Sequence, residues 1–428
     1  MPGAVDGIPA KESARSELSS TESGQTPLDQ SFADQSHADW VQQTRRRAWQ
    51  DTKFTAQARS YFLGRERYDR SEAEAWTLGG SVGLKTGYFR ESFALGATAY
   101  TSQKLYGPAD RDGTQLLKPG QRSYSVLGEL YGEFLLGEQT RFSIGRLALD
   151  TPYLNRSDSR MTPQTYEAVT LVGVYGGEQG LPEWKLGAGY FGRMKPRNAD
   201  DFASMSSVAG AAAGVDRGVY VLGGNYRNGA FSLGAINYFS DDIINIFYTE
   251  ANIARPFREN TILRAGLQFS DQRSVGAEQL QGRRFSARQA GGKLELALGH
   301  ALLTAAYSSA WGSADMQSPW NGYPGYASVQ VEDFFRRGES AVMLRAAYEF
   351  VSVDGLSAHA LWVHGSEPDD TSQHARDEYD LNLQWKPQQG AFSGLSVRLR
   401  YARVIQRDAT RSTLEDLRLM AFYELPLQ

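Results

Sequence analysis

The sequence predicts an all-β protein, a transmembrane antiparallel β-barrel of about eighteen strands with its third loop folded into the lumen. Three observations predict it. From Lys53 onward apolar and polar residues alternate with a period of two, the spacing of strands that keep one face apolar and the other polar. The chain is rich in Gly (44), Tyr (22), Phe (20) and Trp (8), but no apolar run reaches the roughly 18 residues that a membrane helix needs. Connections between the alternating stretches are broadly short and long in turn, as in barrels with tight turns on one side of the membrane and long loops on the other.

Residues 1–50 are rich in Ser, Glu, Gln, Asp and Ala and poor in β-branched and aromatic residues. Such a segment buries too little to order itself and is expected to be a flexible tail, which leaves 51–428 for the barrel. Its short basic run, Thr44-Arg45-Arg46-Arg47, is expected to be solvated. Met1 to Ser20 lack a charged start followed by an apolar core, so the barrel reading expects an export signal already removed.

In the first strand Phe54, Ala56, Ala58, Ser60 and Phe62 alternate with Thr55, Gln57, Arg59, Tyr61 and Leu63. In the second, Trp76, Leu78, Gly80, Val82 and Leu84 alternate with Thr77, Gly79, Ser81, Gly83 and Lys85. Further strands are expected at Phe93–Thr101, Tyr124–Leu135, Thr140–Gly145, Ala168–Tyr175, Trp184–Arg193, Val219–Tyr226, Phe231–Phe239 and Ile243–Ala251. The remainder are Ile262–Phe269, Ala287–Leu298, Ala301–Ser308, Ala341–Phe350, Leu356–His364, Tyr379–Lys386, Leu395–Val404 and Leu417–Leu425. Tight turns fit Arg227-Asn228-Gly229, Gly299-His300 and Asp354-Gly355, while Gly192–Gly218 and Trp311–Glu339 read as long loops.

Because the outer face must be apolar, alternation assigns each charged strand residue to the lumen. Val397, Leu399 and Tyr401 facing lipid turn Arg398 and Arg400 inward. The same reasoning turns Arg59, Lys85, Arg264, Lys293, Arg345 and Arg418 inward. Closure makes the first, second, seventeenth and eighteenth strands neighbours, so Arg59, Lys85, Arg398, Arg400 and Arg418 are candidates for a basic stripe down one wall. The alternative is that these cations only balance lumen acids such as Glu295, Glu349, Asp380 and Glu424.

The third loop lies within Gly145–Ala168, GRLALDTPYLNRSDSRMTPQTYEA. Its length, two prolines and Tyr153, Leu154, Met161 and Tyr166 argue for an ordered, functional loop. Gly145, Leu147, Pro152, Leu154, Asp158, Arg160, Pro163, Thr165 and Tyr166 resemble the constriction loop of the OprD family of outer-membrane porins. AQARSYFLGRERYD, GRMKPRNADDFASM, GESAVMLRAAYEF with GLSAHALWVHG, and DEYDLNLQWKPQQGAFSGLSVRLRYARV carry the resemblance from about Phe54 to Leu427. Two features depart from the family: the long N-terminal tail and the ending Leu425-Pro426-Leu427-Gln428, where family barrels tend to end on an aromatic residue.

The resemblance implies a channel for passive, substrate-selective diffusion of small, carboxylate-bearing nutrients across a Gram-negative outer membrane. The basic residues then match the family's basic ladder, which suits carboxylates because guanidinium groups stay charged and bind them bidentately. Opposite it, Asp150, Asn155, Ser157, Asp158, Arg160 and Tyr166 are expected at the constriction, with Arg160 pinning the loop to the wall and Tyr153 and Met161 packing. Expected partners are solutes, outer-membrane lipid and lipopolysaccharide, and the barrel is expected as a monomer or weak trimer.

Other functions find little support. Without cysteine there is no disulfide, thiolate nucleophile or Cys-based metal site. There is no Gly-x-Ser-x-Gly elbow or P-loop, and Gly79-Gly80-Ser81-Val82-Gly83 reads as strand glycines. His359 and His364, five apart on one strand, point to opposite faces and share no metal. A formal net charge of −4 gives no overall basic footprint for nucleic acid. No catalytic residue, metal or cofactor is expected. A general porin, a channel for cationic amino acids and a non-conducting adhesive or structural barrel remain as alternatives.

Overall fold

The computed structural model describes residues 50–258 and 260–425. Among these, eighteen strands form a single closed antiparallel sheet. In chain order they are β1 (Lys53–Glu66), β2 (Glu72–Lys85), β3 (Phe93–Tyr106), β4 (Tyr124–Leu136), β5 (Thr140–Leu147) and β6 (Thr165–Gly176). They continue with β7 (Glu183–Lys195), β8 (Val219–Asn228), β9 (Phe231–Ser240), β10 (Ile244–Arg258), β11 (Thr261–Arg273) and β12 (Ser286–Leu298). The last six are β13 (Ala301–Gly312), β14 (Ser340–Glu349), β15 (Leu356–Gly365), β16 (Arg376–Trp385), β17 (Leu395–Gln406) and β18 (Thr413–Leu425). Each pairs with the next, and β18 pairs with β1 from Ala56↔Leu425 to Glu66↔Glu415, which closes the barrel. A two-residue strand, Ala203–Ser204, and one short helix, α1 (Met205–Ala209), decorate the connection 196–218.

Every strand expected from alternation is present, and the differences lie at the ends. β6 begins at Thr165 and β10 extends to Arg258. The second extension passes through Pro256, which forms no ladder donor, and the register shifts between Pro256 and Arg258; a bulge at a strand end accommodates a proline that a central position would not. The tail expected over 1–50 falls outside the described residues but for its last one, and so do residues 426–428.

The outer face is apolar across its middle, with Leu267, Leu344, Leu381 and Leu399 among its exposed side chains. Aromatic pairs stand at two heights on it. The Trp184 and Tyr226 rings lie 4.6 Å apart near the short turns, and those of Tyr190 and Tyr220 lie 4.9 Å apart higher up. Six residues at about 3.3 Å each put Tyr190 about 20 Å along the tilted strand from Trp184, less than the full height of a lipid-facing band. Connections 107–123, 148–164, 196–218, 274–285 and 313–339 all leave from one rim, and the opposite rim carries short turns such as 137–139 and 229–230. The glycine run of β2 has a packing reason: a Cβ on Gly79 would sit 2.1 Å from the Thr101 carbonyl oxygen, and one on Gly80 1.8 Å from that of Gln57.

Leu399 points outward, in register with Leu383 and Leu419, between the inward Arg398 and Arg400. Leu399→Arg is expected to destabilise the inserted barrel by about 2–4 kcal/mol in urea titration, whereas the inward substitution Gln384→Arg is expected to cost much less.

Candidate pore-lining site

All eight basic residues singled out in the sequence lie on the face opposite the exposed apolar residues of their strands. Register then decides which of them meet. His359 on β15 stands beside Asn382 on β16, Asn382 beside Arg400 on β17, and Arg400 beside Arg418 on β18. One inward row nearer the short turns, Gln384 stands beside Arg398 and Arg398 beside Met420. In the next row Phe422 faces Arg59, whose guanidinium carbon lies 5.0 Å from the centre of that ring. Successive rows are about 7 Å apart, two residues of strand. Arg345 borders the patch, its Nη2 3.3 Å from His359 Nδ1. Since a guanidinium only donates, that ring nitrogen accepts and the imidazole proton resides on Nε2.

The remaining three stand apart. Lys85 lies 2.9 Å from Glu133, at the short-turn end of β2. Arg264 is in register with Glu295, and Lys293 lies 3.5 Å from the same carboxylate and 5.1 Å from the centre of the Tyr326 ring. Five of the eight therefore form one patch, in which Arg59 and Arg418 also hold acid partners, Asp158 and Asp416, and the other three accompany acids elsewhere on the inner face.

The loop 148–164 reaches three separated strands. Asp158 binds Arg59 bidentately, with Oδ1 2.5 Å from Nη1 and Oδ2 2.7 Å from Nη2, and its side chain remains 36% exposed. Tyr153 is fully buried: its N–H donates to the Tyr238 hydroxyl of β9 at 3.2 Å, and its own hydroxyl lies 2.7 Å from Ser270 Oγ of β11. Met161 is buried against Tyr61, Leu63 and Met420. Arg160 holds a different neighbour than expected. Its Nε donates to the Thr114 carbonyl at 2.9 Å, which ties the loop to connection 107–123 rather than to a strand.

The other loop positions serve the loop itself. Asp150 pairs with Arg156 at 2.5 Å. The Asn155 side chain accepts from the Ser157 N–H at 3.0 Å, and Ser157 takes a positive φ of 41° at the tip. Tyr166 stands in β6, fully buried, and its hydroxyl donates to the Asn155 carbonyl at 2.8 Å. Its phenol thus braces the loop from behind.

Two features escaped the sequence reading. Arg197, in the connection 196–218, donates to Gln115 Oε1 at 2.9 Å and to Ser159 Oγ at 2.9 Å. Burial, then the neighbouring Arg418 guanidinium, lowers its pKa to about 10, so it stays cationic at neutral pH. The second is the connection 313–339, read only as long. Its Trp320 and Phe334 are fully buried, the Gln330 and Val331 N–H groups donate to Asp380 and Glu378 of β16 at 3.2 and 2.8 Å, and Arg418 Nη2 donates to the Gln330 carbonyl at 2.9 Å. It also meets the third loop, where Asn321 Nδ2 donates to Gln164 Oε1 at 2.9 Å. The signal was available: large apolar residues inside a long loop, the same signal that marked 148–164.

A family model described as outer membrane porin, OprD family, matches residues 48–427. The chain belongs to the OprD family. It is therefore an outer-membrane channel protein, one of a family whose members pass small solutes. Solved structures share the fold. Pseudomonas aeruginosa OccK9 (OpdG) superposes with a TM-score of 0.78 at 24% identity, over 88% of this chain and 99% of that one. OpdK of Pseudomonas aeruginosa, in a structure with vanillate, gives 0.76 at 21% identity over 89% and 100%. A BenF-like porin from Pseudomonas fluorescens Pf-5 gives 0.77 at 19% identity over 89% and 100%. No curated protein matches the sequence.

Asp158 is the third loop's charged tether to β1. Asp158→Asn is expected to increase cleavage within 148–164 in limited proteolysis and to cost about 1 kcal/mol of stability, with the barrel still heat-modifiable on gels.

Proposed function

We propose that the protein is a substrate-selective channel for small carboxylates, in which the third loop, folded into the lumen, narrows the passage against a basic wall. The observation that carries this reading is the run of inward rows on β15–β18 and β1, where Arg400 with Arg418, then Arg398, then Arg59 follow one another. A carboxylate leaving one guanidinium finds the next about 7 Å on, and a series of weak sites lets an ion both enter and leave. Bidentate geometry favours planar carboxylates over spherical anions.

The loop's bonds to β1, β9 and β11 support its crossing the lumen, and 313–339 joins it there through Gln164 and Asn321. Asp158, partly exposed beside Arg59, gives the constriction an acidic element and supports a second reading, a channel for cationic amino acids. OpdK, a fold relative, was crystallised with vanillate, an aromatic carboxylate, which favours the first.

The reversal potential of the purified protein in a planar bilayer under a salt gradient separates the two. Anion preference with block by benzoate is expected; cation preference would transfer the selectivity to the acids. Arg398→Ala with Arg400→Ala is expected to lower the anion-to-cation permeability ratio several-fold while the barrel inserts normally. An unchanged ratio in the inserted double variant removes both residues from the mechanism.

A further inference from the structure

Between the first limb of the third loop and the inner face of β4–β9 lies an open cavity of about 480 Å³, within the range of small-molecule sites. Its charged rim is largely self-paired. Glu133 lies 2.9 Å from Lys85 and 3.7 Å from Arg141, Asp150 pairs with Arg156 at 2.5 Å, and Glu129 accepts from the Tyr100 hydroxyl. Its floor, the apolar part of its lining, is Leu147, Leu149, Val172, Val174, Val221 and Ile236, beside the inward Ser143, Thr170 and Lys185. Of these apolar residues all but Leu149, which lies in the third loop, are inward residues of strands, where alternation alone calls for polar side chains. Gly187 opens the floor further: its φ is ordinary, and a Cβ there would meet nothing closer than 3.8 Å.

We propose that this recess seats the hydrocarbon body of the solute, so that the channel selects carboxylates carrying an aromatic ring or short alkyl chain over hydroxylated ones of equal charge. The inference rests on the carboxylate reading above and adds a second determinant on the opposite wall. The third loop connects the two: Arg156 lines the recess, and Asp158, two residues on, holds Arg59 of the basic patch. A solute body in the recess leaves its carboxylate on the side of the loop tip and the arginines. Paired rim charges neither attract nor repel it strongly, so removal of apolar surface from water is the main attraction the floor offers.

The test measures residence times of benzoate and glycerate as current interruptions in planar bilayers, for the full-length chain and two variants. In the unaltered protein benzoate is expected to stay about tenfold longer than glycerate. Gly187→Leu, which fills the recess, is expected to bring that ratio near one. Val172→Thr keeps shape and strand propensity while making the floor polar, and is expected to lower the ratio about threefold, which covers the case in which the leucine variant does not insert. A ratio unchanged in an inserted Gly187→Leu and in Val172→Thr overturns the proposal, as does a ratio near one in the unaltered protein. Benzyl alcohol, the same ring without charge, separates this from failure of the carboxylate reading. If it shortens benzoate residence in the unaltered protein but not in Gly187→Leu, the recess stands even where the reversal potential shows no anion preference; if it has no effect in either, the recess fails even where anion preference is present.

Discussion

Backbone amides cannot be left unpaired in hydrocarbon, and the whole arrangement of this protein follows from that constraint. An open sheet would expose two edges, so β18 must return to β1, and it does so over eleven consecutive residue pairs from Ala56↔Leu425 to Glu66↔Glu415. Closure in turn gives every strand one lipid face and one inner face. Once lipid claims the leucines of β17, Arg398 and Arg400 have nowhere to go but inward. The seam also decides adjacency, because it is the β1–β18 pairing that sets Arg59 one row below Arg398 although 339 positions separate them in the chain.

Two connections from the same rim bring buried aromatic side chains against the strands. Residues 148–164 bring Tyr153 against Tyr238 and Tyr248, with ring centres 5.7 and 6.3 Å away. Residues 313–339 bring Trp320, whose Nε1 donates to the Met205 carbonyl at 3.2 Å. The two connections bond to each other as well as to strands, so loosening one removes partners of the other. This coupling explains why Tyr166, a strand residue, belongs energetically to the loop: its hydroxyl and the Gln164 side chain both hold the Asn155 carbonyl.

Strands were legible in the sequence because alternation is local. A stretch such as Leu395 to Tyr401 states its own period and its own inner side, and membrane thickness limits its length. Even the β10 extension through Pro256 is a local matter that a bulge resolves. Partnership between loop and strand was not legible, since nothing near Asp158 in the chain indicates that Arg59 will meet it. Direction of a long loop is a similar case. Length marks both 148–164 and 313–339, but only their apolar content indicates that they pack. The recess beneath the third loop was hidden for another reason: valines and glycines that alternate in β6–β8 look the same whether they line lipid or lumen.

How the cations are satisfied matters more than how many there are. A guanidinium bound by a carboxylate has its geometry satisfied and its field partly offset, as for Arg59 with Asp158 and for Arg65 and Arg418, which share Asp416 at 2.7 and 2.5 Å. A guanidinium bound by neutral acceptors has its geometry satisfied and its field intact. Arg160 donates to two carbonyls, and Arg197 to glutamine and serine oxygens. Among the described residues neither Arg160 nor Arg197 has an acid within ion-pair distance. Because arginine does not shed its proton under ordinary conditions, these residues hold positive potential where acids would have erased it. The fixed oxygens also restrain their side chains in advance, which reduces the ordering cost of meeting an anion. Choosing amides, carbonyls and hydroxyls over carboxylates around Arg160 and Arg197 leaves two cations without an ion-pair partner among the described residues, in a chain whose formal net charge is −4.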